Sequence, residues 1–499
     1  MDRRSFLGTG GLALAAALTG SAWVSRSSPD WESLQGAIAG TVVLPGDPAY
    51  DATRQLALEQ FDSVRPQAIV LCESVEDVQE AVRFARRNDI GAVPRSGGHS
   101  FAGYSTATGM VIDVSRMRSV RVEHGVAQVQ AGAQLVDVTS GLDAHGLALP
   151  SGFCPTVGIA GLAQGGGFGL DGRRHGLTVD HTLGVRAVLA DGRVVDCDEH
   201  HHPDLFWALR GGGGGNFGIV TSFVFSPVAA VPMTDYSLAW PWPAAAAVLD
   251  AWQRWGPNAP DDLAALLSIS LGDAAPGNEP FVGVYGTWLG APGDLDPLLD
   301  DLVARVGTDP VARSRQTLPH LDSLMQWYGC SGLTVQECHR AGPFMGGTLP
   351  RFAFALARGN FFQQPAPPEG VAAMLQVFDS DRLAGQVRSL DLQAFGGAVN
   401  RVRPDATAFV HRRTLFYAGY SMGVAADPTD LQRETGRRWV NSCWQTMQSW
   451  SSPFTYQNFV DPQLVDWRRA YYGDNYERLV RVKAGYDPAR FFRFPQSIG

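Results

Sequence analysis

Lysine is nearly absent from this chain. Of 40 basic residues in 499, only Lys483 is a lysine, and the rest are arginines. That bias reads as codon usage and by itself points to no function. Positive charge in excess is missing too. The formal net charge is −9, which argues against a protein held on nucleic acid by a basic surface. The apolar run Leu12 to Leu18 is too short to cross a bilayer as a helix. Six cysteines are too few for a disulfide scaffold of this length, and none forms a CxxC pair, which argues against structural zinc. Cys330 and Cys338 are the nearest pair, although spacing alone does not join them. His181 and the run His200 to His202 lack carboxylates at ligand spacing, so the run beside Pro203 reads as solvent-facing rather than metal-binding. Disorder is excluded by 45% hydrophobic and 18% charged residues. The length suits two or three domains with cores of their own.

The N-terminus carries an address. Asp2 to Leu7 read DRRSFL, which resembles a twin-arginine export signal. The short apolar run follows, and then Gly20, Ser21 and Ala22 suit a signal peptidase. Residues 1–22 are therefore expected to be removed. The mature protein is expected outside the cell or in its envelope, with no membrane association. The twin-arginine route moves folded proteins, which hints at a cofactor loaded before export.

Along the chain, Ala68 to Cys72 predicts a strand. Ser74 predicts the cap of a helix whose apolar residues Val75, Val78, Ala81, Val82 and Ala85 share one face. Gly91 to Pro94, Met110 to Val114, Val120 to Glu123 and Ala127 to Gln130 predict strands, and Gln134 to His145 a helix. Val185 to Ala190 and Arg193 to Cys197 predict a hairpin about Asp191-Gly192. Asp204 to Arg210 predicts a short helix and Ile219 to Phe225 a strand. After Pro227 the texture changes, and VPMTDYSLAWPWP reads as a linker or a domain boundary. From 231 to 450, helix signals (Ala244 to Trp255, Leu295 to Val306, Thr435 to Trp450) mix with strand-like runs (Leu266 to Ser270, Phe281 to Leu289, Thr407 to Tyr420). That mixture implies an α+β unit, a sheet covered by helices on one face.

Glycine is the residue in surplus. Of 57 glycines, 26 fall between 91 and 218. Gly167, Gly169 and Gly172 formally match GxGxxG, but no strand signal precedes them, so a nicotinamide Rossmann site is not expected. Three other segments could converge backbone N–H groups on phosphate oxygens. They are Arg95-Ser96-Gly97-Gly98-His99-Ser100, Cys154-Pro155-Thr156-Val157-Gly158 through Gly161, and Gly211 to Gly218. Three such loops in 125 residues or so predict a long phosphate-bearing cofactor lying across them.

On these motifs the sequence resembles the berberine bridge enzyme-like FAD-linked oxidases of the vanillyl-alcohol oxidase superfamily. PRSGGHSFAGYS is similar to the family's first flavin loop, and His99 matches the histidine bonded to the flavin 8α-methyl group. SGFCPTVGIAG is similar to the second loop, and Cys154 matches the cysteine bonded to flavin C6. FWALRGGGGGNFGIVTSF and YYGDNYERLVRVKAGYDPARFFRFPQSI continue the resemblance. It implies a two-part PCMH-type FAD-binding domain (50–230, with a C-terminal return at 455–499) and a substrate domain at 231–450, an antiparallel sheet covered by helices. Arg95, Ser96, Gly97, Gly98, His99, Ser100, Cys154, Val157, Gly158, Gly161, Asn216, Gly218, Val220, Tyr472 and Asn475 are the implied flavin contacts. Val157 matches a position that gates oxygen in the family.

The implied chemistry is oxidation of an alcohol, a sugar or a secondary-metabolite hydroxyl, with O2 reduced to hydrogen peroxide. A dehydrogenase, oxidation of a C–N or C–C centre, and a secreted flavoprotein without catalysis stay open on the sequence alone. Relatives carry Tyr-x-Asn-Tyr, whose second tyrosine accepts the substrate proton. This chain has Tyr456-Gln457-Asn458-Phe459, and phenylalanine cannot accept a proton. Tyr456 becomes the candidate base, with Tyr471 as a second choice and Tyr417 and Tyr420 behind them. The substrate's identity and the oligomeric state are not legible.

Overall fold

A computed structural model describes residues 28–342 and 346–499, so the export-signal segment 1–22 lies outside the described residues. The first half of the chain builds two small sheets. β1 (Thr41–Val43), β2 (Ala68–Leu71), β3 (Ala92–Arg95) and β4 (Met110–Asp113) form one, in the order β1-β2-β4-β3. β2 and β3 both pair parallel with β4. Parallel strands need a crossover, and the helix Val75–Arg87 supplies it between β2 and β3. Its start is set by Ser74, whose hydroxyl accepts the Asp77 N–H at 3.1 Å. Its buried face carries Val78, Ala81, Val82 and Ala85 at helical spacing. β5 (Val120–Glu123), β6 (Val126–Gln130), β8 (Thr182–Val188), β9 (Val194–Cys197) and β10 (Ile219–Phe225) make the second sheet, antiparallel in the order β5-β6-β10-β8-β9. β7 (Leu147–Ala148) pairs with β11 (Val228–Ala229) in a separate two-stranded ribbon.

The second half is one large sheet. β12 (Met233–Trp240), β13 (Leu266–Leu271), β14 (Phe281–Trp288), β15 (Ala312–Leu318), β16 (Phe354–Phe362), β17 (Val387–Ala394) and β18 (Phe416–Val424) lie in the order β15-β12-β14-β13-β17-β18-β16. Every neighbouring pair is antiparallel. Side chains alternate across such a sheet, so each strand serves two surfaces. Leu267, Ile269, Val284, Leu390, Leu392 and Tyr420 point into a core closed by the helices Ala245–Trp255, Leu295–Val306, Pro368–Phe378 and Asp430–Met447. Leu266 and Tyr285 pack instead on Leu170, and Phe361 and Tyr417 on Phe168 and Tyr456. The helices therefore cover one face, and the other face sits on the glycine-rich half.

Three expectations need correction. The stretch read as a linker contains β12, buried along nearly its whole length because sheet neighbours flank it and both faces are covered. The run Thr407 to Tyr420 is strand only from Phe416. Residues 407–412 are drawn instead to the first half, where Phe409 N–H donates to Arg210 O (3.3 Å) and Arg412 pairs with Asp180 (2.6 Å). The last long helix starts at Asp430 rather than Thr435, because Thr429 and Gln432 form a capping box.

The chain end returns to the first half. Tyr471, Tyr472, Leu479, Val482 and Ile498 join its core. Lys483 anchors this return. It is 2% exposed, pairs with Asp487 at 2.7 Å and donates to the backbone oxygens of Phe492 and Asn216. The single lysine thus has a structural role that composition alone did not suggest.

Candidate active site

A long cavity runs along the seam between the halves. Its walls come from residues 92–101, 152–164, 213–220 and 456–460, with Gln393 from the large sheet and Phe494 and Gln496 from the chain end. Backbone packing shapes it. A Cβ on Gly97 would lie 2.3 Å from Gly158 N, and one on Gly158 would lie 2.1 Å from Ser96 Oγ. The first and second glycine loops therefore meet backbone to backbone, and no other residue fits there. In the third loop, Gly211, Gly213 and Gly215 all take positive φ, while Gly212 and Gly214 between them do not. Gly211 and Gly213 N–H both donate to Gln164 O, and Gly212 N–H donates to Ala208 O, so an anion-binding nest is confined to Gly214 and Gly215 on the cavity wall.

Of the candidate site residues singled out in the sequence, Asn475, Tyr417 and Tyr420 are not on its wall and the others line it: Arg95 to Ser100, Cys154, Val157, Gly158, Gly161, Asn216, Gly218, Val220, Tyr456, Tyr471 and Tyr472. Their side chains have different duties. Arg95 is spent on structure, with Nε 2.5 Å from Asp113 and Nη2 donating to Thr53 O. Ser96 donates to Ala131 O at 2.7 Å. Asn216 braces the nest, its amide donating to Gly212 O and its oxygen accepting the Ile498 N–H at 2.9 Å. Tyr472 donates to Gly212 O at 3.1 Å. Asn475 departs from expectation: its amide is committed to Pro404 O and Thr407 O behind the cavity wall.

His99 Nε2 lies 2.7 Å from Thr156 Oγ1. Burial, with the Arg340 charge as the lesser cause, lowers the imidazole pKa to about 3, so the ring is neutral. Cys154 lies deep in the fold, yet its surface is open to the cavity. Burial pushes its thiol up, against the opposing hydrogen bonds from Thr156 and Val157. A segment of the second half closes over this loop. Trp327 packs 5.9 Å from Phe153, and Tyr328 bonds Thr139 at 2.8 Å. Cys330 and Cys338 form a disulfide immediately beyond.

The Tyr456 hydroxyl is held by two donors. Gly167 N–H lies at 2.7 Å and Asn458 Nδ2 at 2.8 Å. Asn458 Nδ2 also donates to Leu162 O (3.0 Å), which fixes the amide's orientation. The phenolic oxygen is thus used as a double acceptor. Burial raises this phenol well above the usual range, and the two hydrogen bonds only partly oppose it. Tyr471 accepts the Asp461 N–H at 2.8 Å and faces Gln496. Tyr420 donates to Met374 O at 3.0 Å in the helical core, away from the cavity. Phe459 makes an aromatic wall with Tyr456, Tyr417 and Phe101, at 5.1, 5.2 and 5.9 Å.

Two lining residues escaped the sequence reading. Gln164 and Gln457 commit their Nε2 groups to Ala160 O and Gly211 O, leaving each Oε1 buried without a partner. Only tertiary placement marks them, since a lone glutamine carries no sequence signal. An unpaired buried acceptor costs about 1–3 kcal/mol, which a bound group with N–H donors would offset. A Cβ on Gly161 would meet nothing within 4 Å, and one on Gly214 nothing nearer than 3.7 Å. These glycines keep open a channel that any side chain would fill. A nest for phosphates, a narrow channel and acceptors for ring N–H groups together fit FAD, whose isoalloxazine and adenine both carry such donors.

Comparison with known proteins agrees. A family model described as FAD binding domain matches residues 66–198, and one described as berberine and berberine like matches 455–499. The FAD-linked oxidoreductase YgaK of Bacillus subtilis is 33% identical across 92% of this chain and 97% of its own. The chitooligosaccharide oxidase of Gibberella zeae is 31% identical across 87% of both chains. Among solved structures, the glucooligosaccharide oxidase of Acremonium strictum, with a 6-S-cysteinyl, 8α-N1-histidyl FAD, superposes with a TM-score of 0.82 at 25% identity, covering 93% of this chain and 99% of that one. The chain belongs to the berberine bridge enzyme-like family of FAD-linked oxidoreductases.

Proposed function

We propose that this protein is an exported oxidase with FAD bonded to both His99 and Cys154, oxidising a CH–OH group of an alcohol, a sugar or a secondary metabolite and releasing hydrogen peroxide. When bound, FAD supplies the redox step, accepting hydride from a carbon and passing the electrons to O2. The chain's residues supply position and proton handling. Thr156 engages His99 Nε2, leaving the neutral ring's Nδ1 as the attachment atom. The first loop, with Gly214 and Gly215, holds the phosphates. Gln164 and Gln457 offer acceptors to ring N–H groups. Val157 stands on the wall beside Cys154, where its small size leaves room for O2.

The carrying observation is Tyr456. Gly167 and Asn458 occupy its oxygen as donors, so the hydroxyl's own proton has no protein acceptor. The same two donors favour a phenolate, the form able to take a substrate proton, but burial outweighs them, so the base role requires the bound flavin to lower this pKa. Phe459 cannot share that role, and Tyr456 stands beside it at the cavity. Export is supported by the twin-arginine motif and by the Cys330–Cys338 disulfide, a bond that persists in oxidising compartments.

Acid precipitation of the purified protein tests attachment. Yellow colour is expected in the pellet, and His99→Ala with Cys154→Ala should move it to the supernatant. Colour that stays bound in the double variant would refute both sites. Peroxide measured under air across a panel of sugars and aryl or alkyl alcohols tests the oxidase reading. Dye reduction without peroxide would overturn it.

A further inference from the structure

A second cavity, of about 910 Å³, lies on the other side of the first glycine loop. It opens at the C-terminal ends of β2, β3 and β4, where Leu71, Arg95 and Asp113 stand on its wall. That end of a parallel sheet is where ligands bind in α/β proteins. The wall carries four arginines, Arg95, Arg116, Arg118 and Arg340, against two carboxylates, Glu73 and Asp113. Arg95 takes Asp113 at 2.5 Å, and Arg116 takes Glu73 at 2.8 Å. Arg340 makes no ion pair among the described residues.

Arg340 is the informative residue. It is 6% exposed, and of its three nitrogens only Nη2 has an acceptor, Gln55 O at 3.2 Å. Nε and Nη1 are buried without a partner. A buried guanidinium without a counter-charge is costly, and native proteins satisfy such groups with an ion or a ligand. Desolvation and the repulsion from Arg95 and Arg351 lower its pKa to about 10, against the weaker attraction of Asp113 and Asp62.

We propose that this cavity is an anion site for a phosphate group, free or on a small metabolite, with Arg340 as its buried counter-charge. A phosphate presents several acceptor oxygens and two negative charges near neutral pH, matching the unpaired N–H groups of the Arg340 guanidinium. The cavity is larger than inorganic phosphate needs, which favours a phosphate ester. The site touches the flavin machinery, because Ser96 and Gly97 line both cavities and the Arg340 charge reaches His99. An anion here would weaken that charge beside the flavin attachment, so occupancy should register in the flavin absorbance.

The test is calorimetric titration of the flavin-loaded protein with inorganic phosphate and with glucose 6-phosphate, at constant ionic strength set with sodium chloride. Flavin difference spectra are recorded in parallel. Saturable binding is expected, with a spectral change of matching midpoint. Tighter binding of the ester than of the free ion identifies an ester as the occupant, and equal affinity identifies the ion. Arg340→Gln should weaken binding by roughly tenfold or more, as expected for charge-assisted hydrogen bonds. If that variant fails to fold, Arg116→Gln at the open rim decides, with about threefold weakening expected. Absence of saturable binding by either probe, which would include the case where FAD's own phosphates fill the cavity, overturns the proposal. So does binding unchanged in whichever variant folds.

Discussion

The glycine-rich half and the large-sheet half are held together by different means. The first is shaped by backbone. Its loops touch where no side chain fits, as Gly97 and Gly158 do, and its third loop depends on alternating φ at 211–215. The second is shaped by side chains. Trp240, Trp252, Trp439 and Tyr420 are all buried in one core between the sheet and its helices. The difference teaches where each half is vulnerable. The first should fail when atoms are added, and the second when atoms are removed. The chemistry lies where they meet, because Tyr456 belongs to the returning chain end yet packs with Phe168, at 4.8 Å, beneath the large sheet.

The seam is the place to press hardest. Tyr456→Phe removes one oxygen and leaves the aromatic packing. Turnover should fall by about 10²–10⁴-fold, the usual worth of a proton-transfer group, with flavin content unchanged. Steady-state peroxide production against flavin absorbance measures both. Turnover near wild type would move the base elsewhere. Trp252→Ala then tests the large-sheet half. Its ring lies 5.7 Å from Phe416 at 0% exposure, and its loss should cost about 3–5 kcal/mol. Thermal unfolding should show the loss while the folded variant keeps its flavin. Flavin lost in step with stability would mean the halves are not separable in this sense.

Gly161→Leu is the converse change. The added Cβ meets nothing within 4 Å, and the rest of the side chain extends into the channel. The melting temperature of the flavin-free protein should stay within a few degrees of wild type, while flavin incorporation falls sharply. Normal flavin content in this variant would break the contrast between the halves.

The same contrast explains what was legible in the sequence. Glycine loops announce themselves, because positive φ and backbone contact exclude other residues. His99 and Cys154 stood out by their place inside such loops, and both line the cavity. Caps at Ser74 and helical periodicity placed the helices well. What failed depends on partners distant in sequence. β12 looked like a linker because its proline- and tryptophan-rich surroundings mask a strand that is buried by its neighbours. β15, ARSRQTL, has no apolar alternation and exists because β12 offers it an edge. Asn475 had the right spacing for the cofactor but turned to Pro404 O. Gln164 and Gln457 had no motif at all, and Cys330 and Cys338 needed the fold to bring them together. Lys483 was a compositional oddity until burial gave it Asp487.

Acid gives the smallest test, and it acts at the seam. His411 belongs to the segment 407–412 that crosses from the large-sheet half, and it donates Nε2–H to Tyr471 O at 2.9 Å. Phe361, Phe409 and Phe454 surround it at 4.7, 5.3 and 5.7 Å. Burial first, and the Arg412 charge after it, lower its pKa to about 3, against the opposing hydrogen bond to Tyr471. The unfolded chain takes up that proton near pH 6.5. Between about 6.5 and 3 the unfolded state therefore binds a proton that the folded state refuses, and stability falls as pH falls through that window. Above 6.5 the contribution is complete. His411→Gln keeps a donor for Tyr471 O but cannot titrate. Its melting temperature should be lower than wild type at pH 8, because the ring's packing is lost, yet should decline less steeply from pH 6.5 to 4. Parallel slopes for the two proteins would show that His411 does not carry the acid sensitivity of the seam.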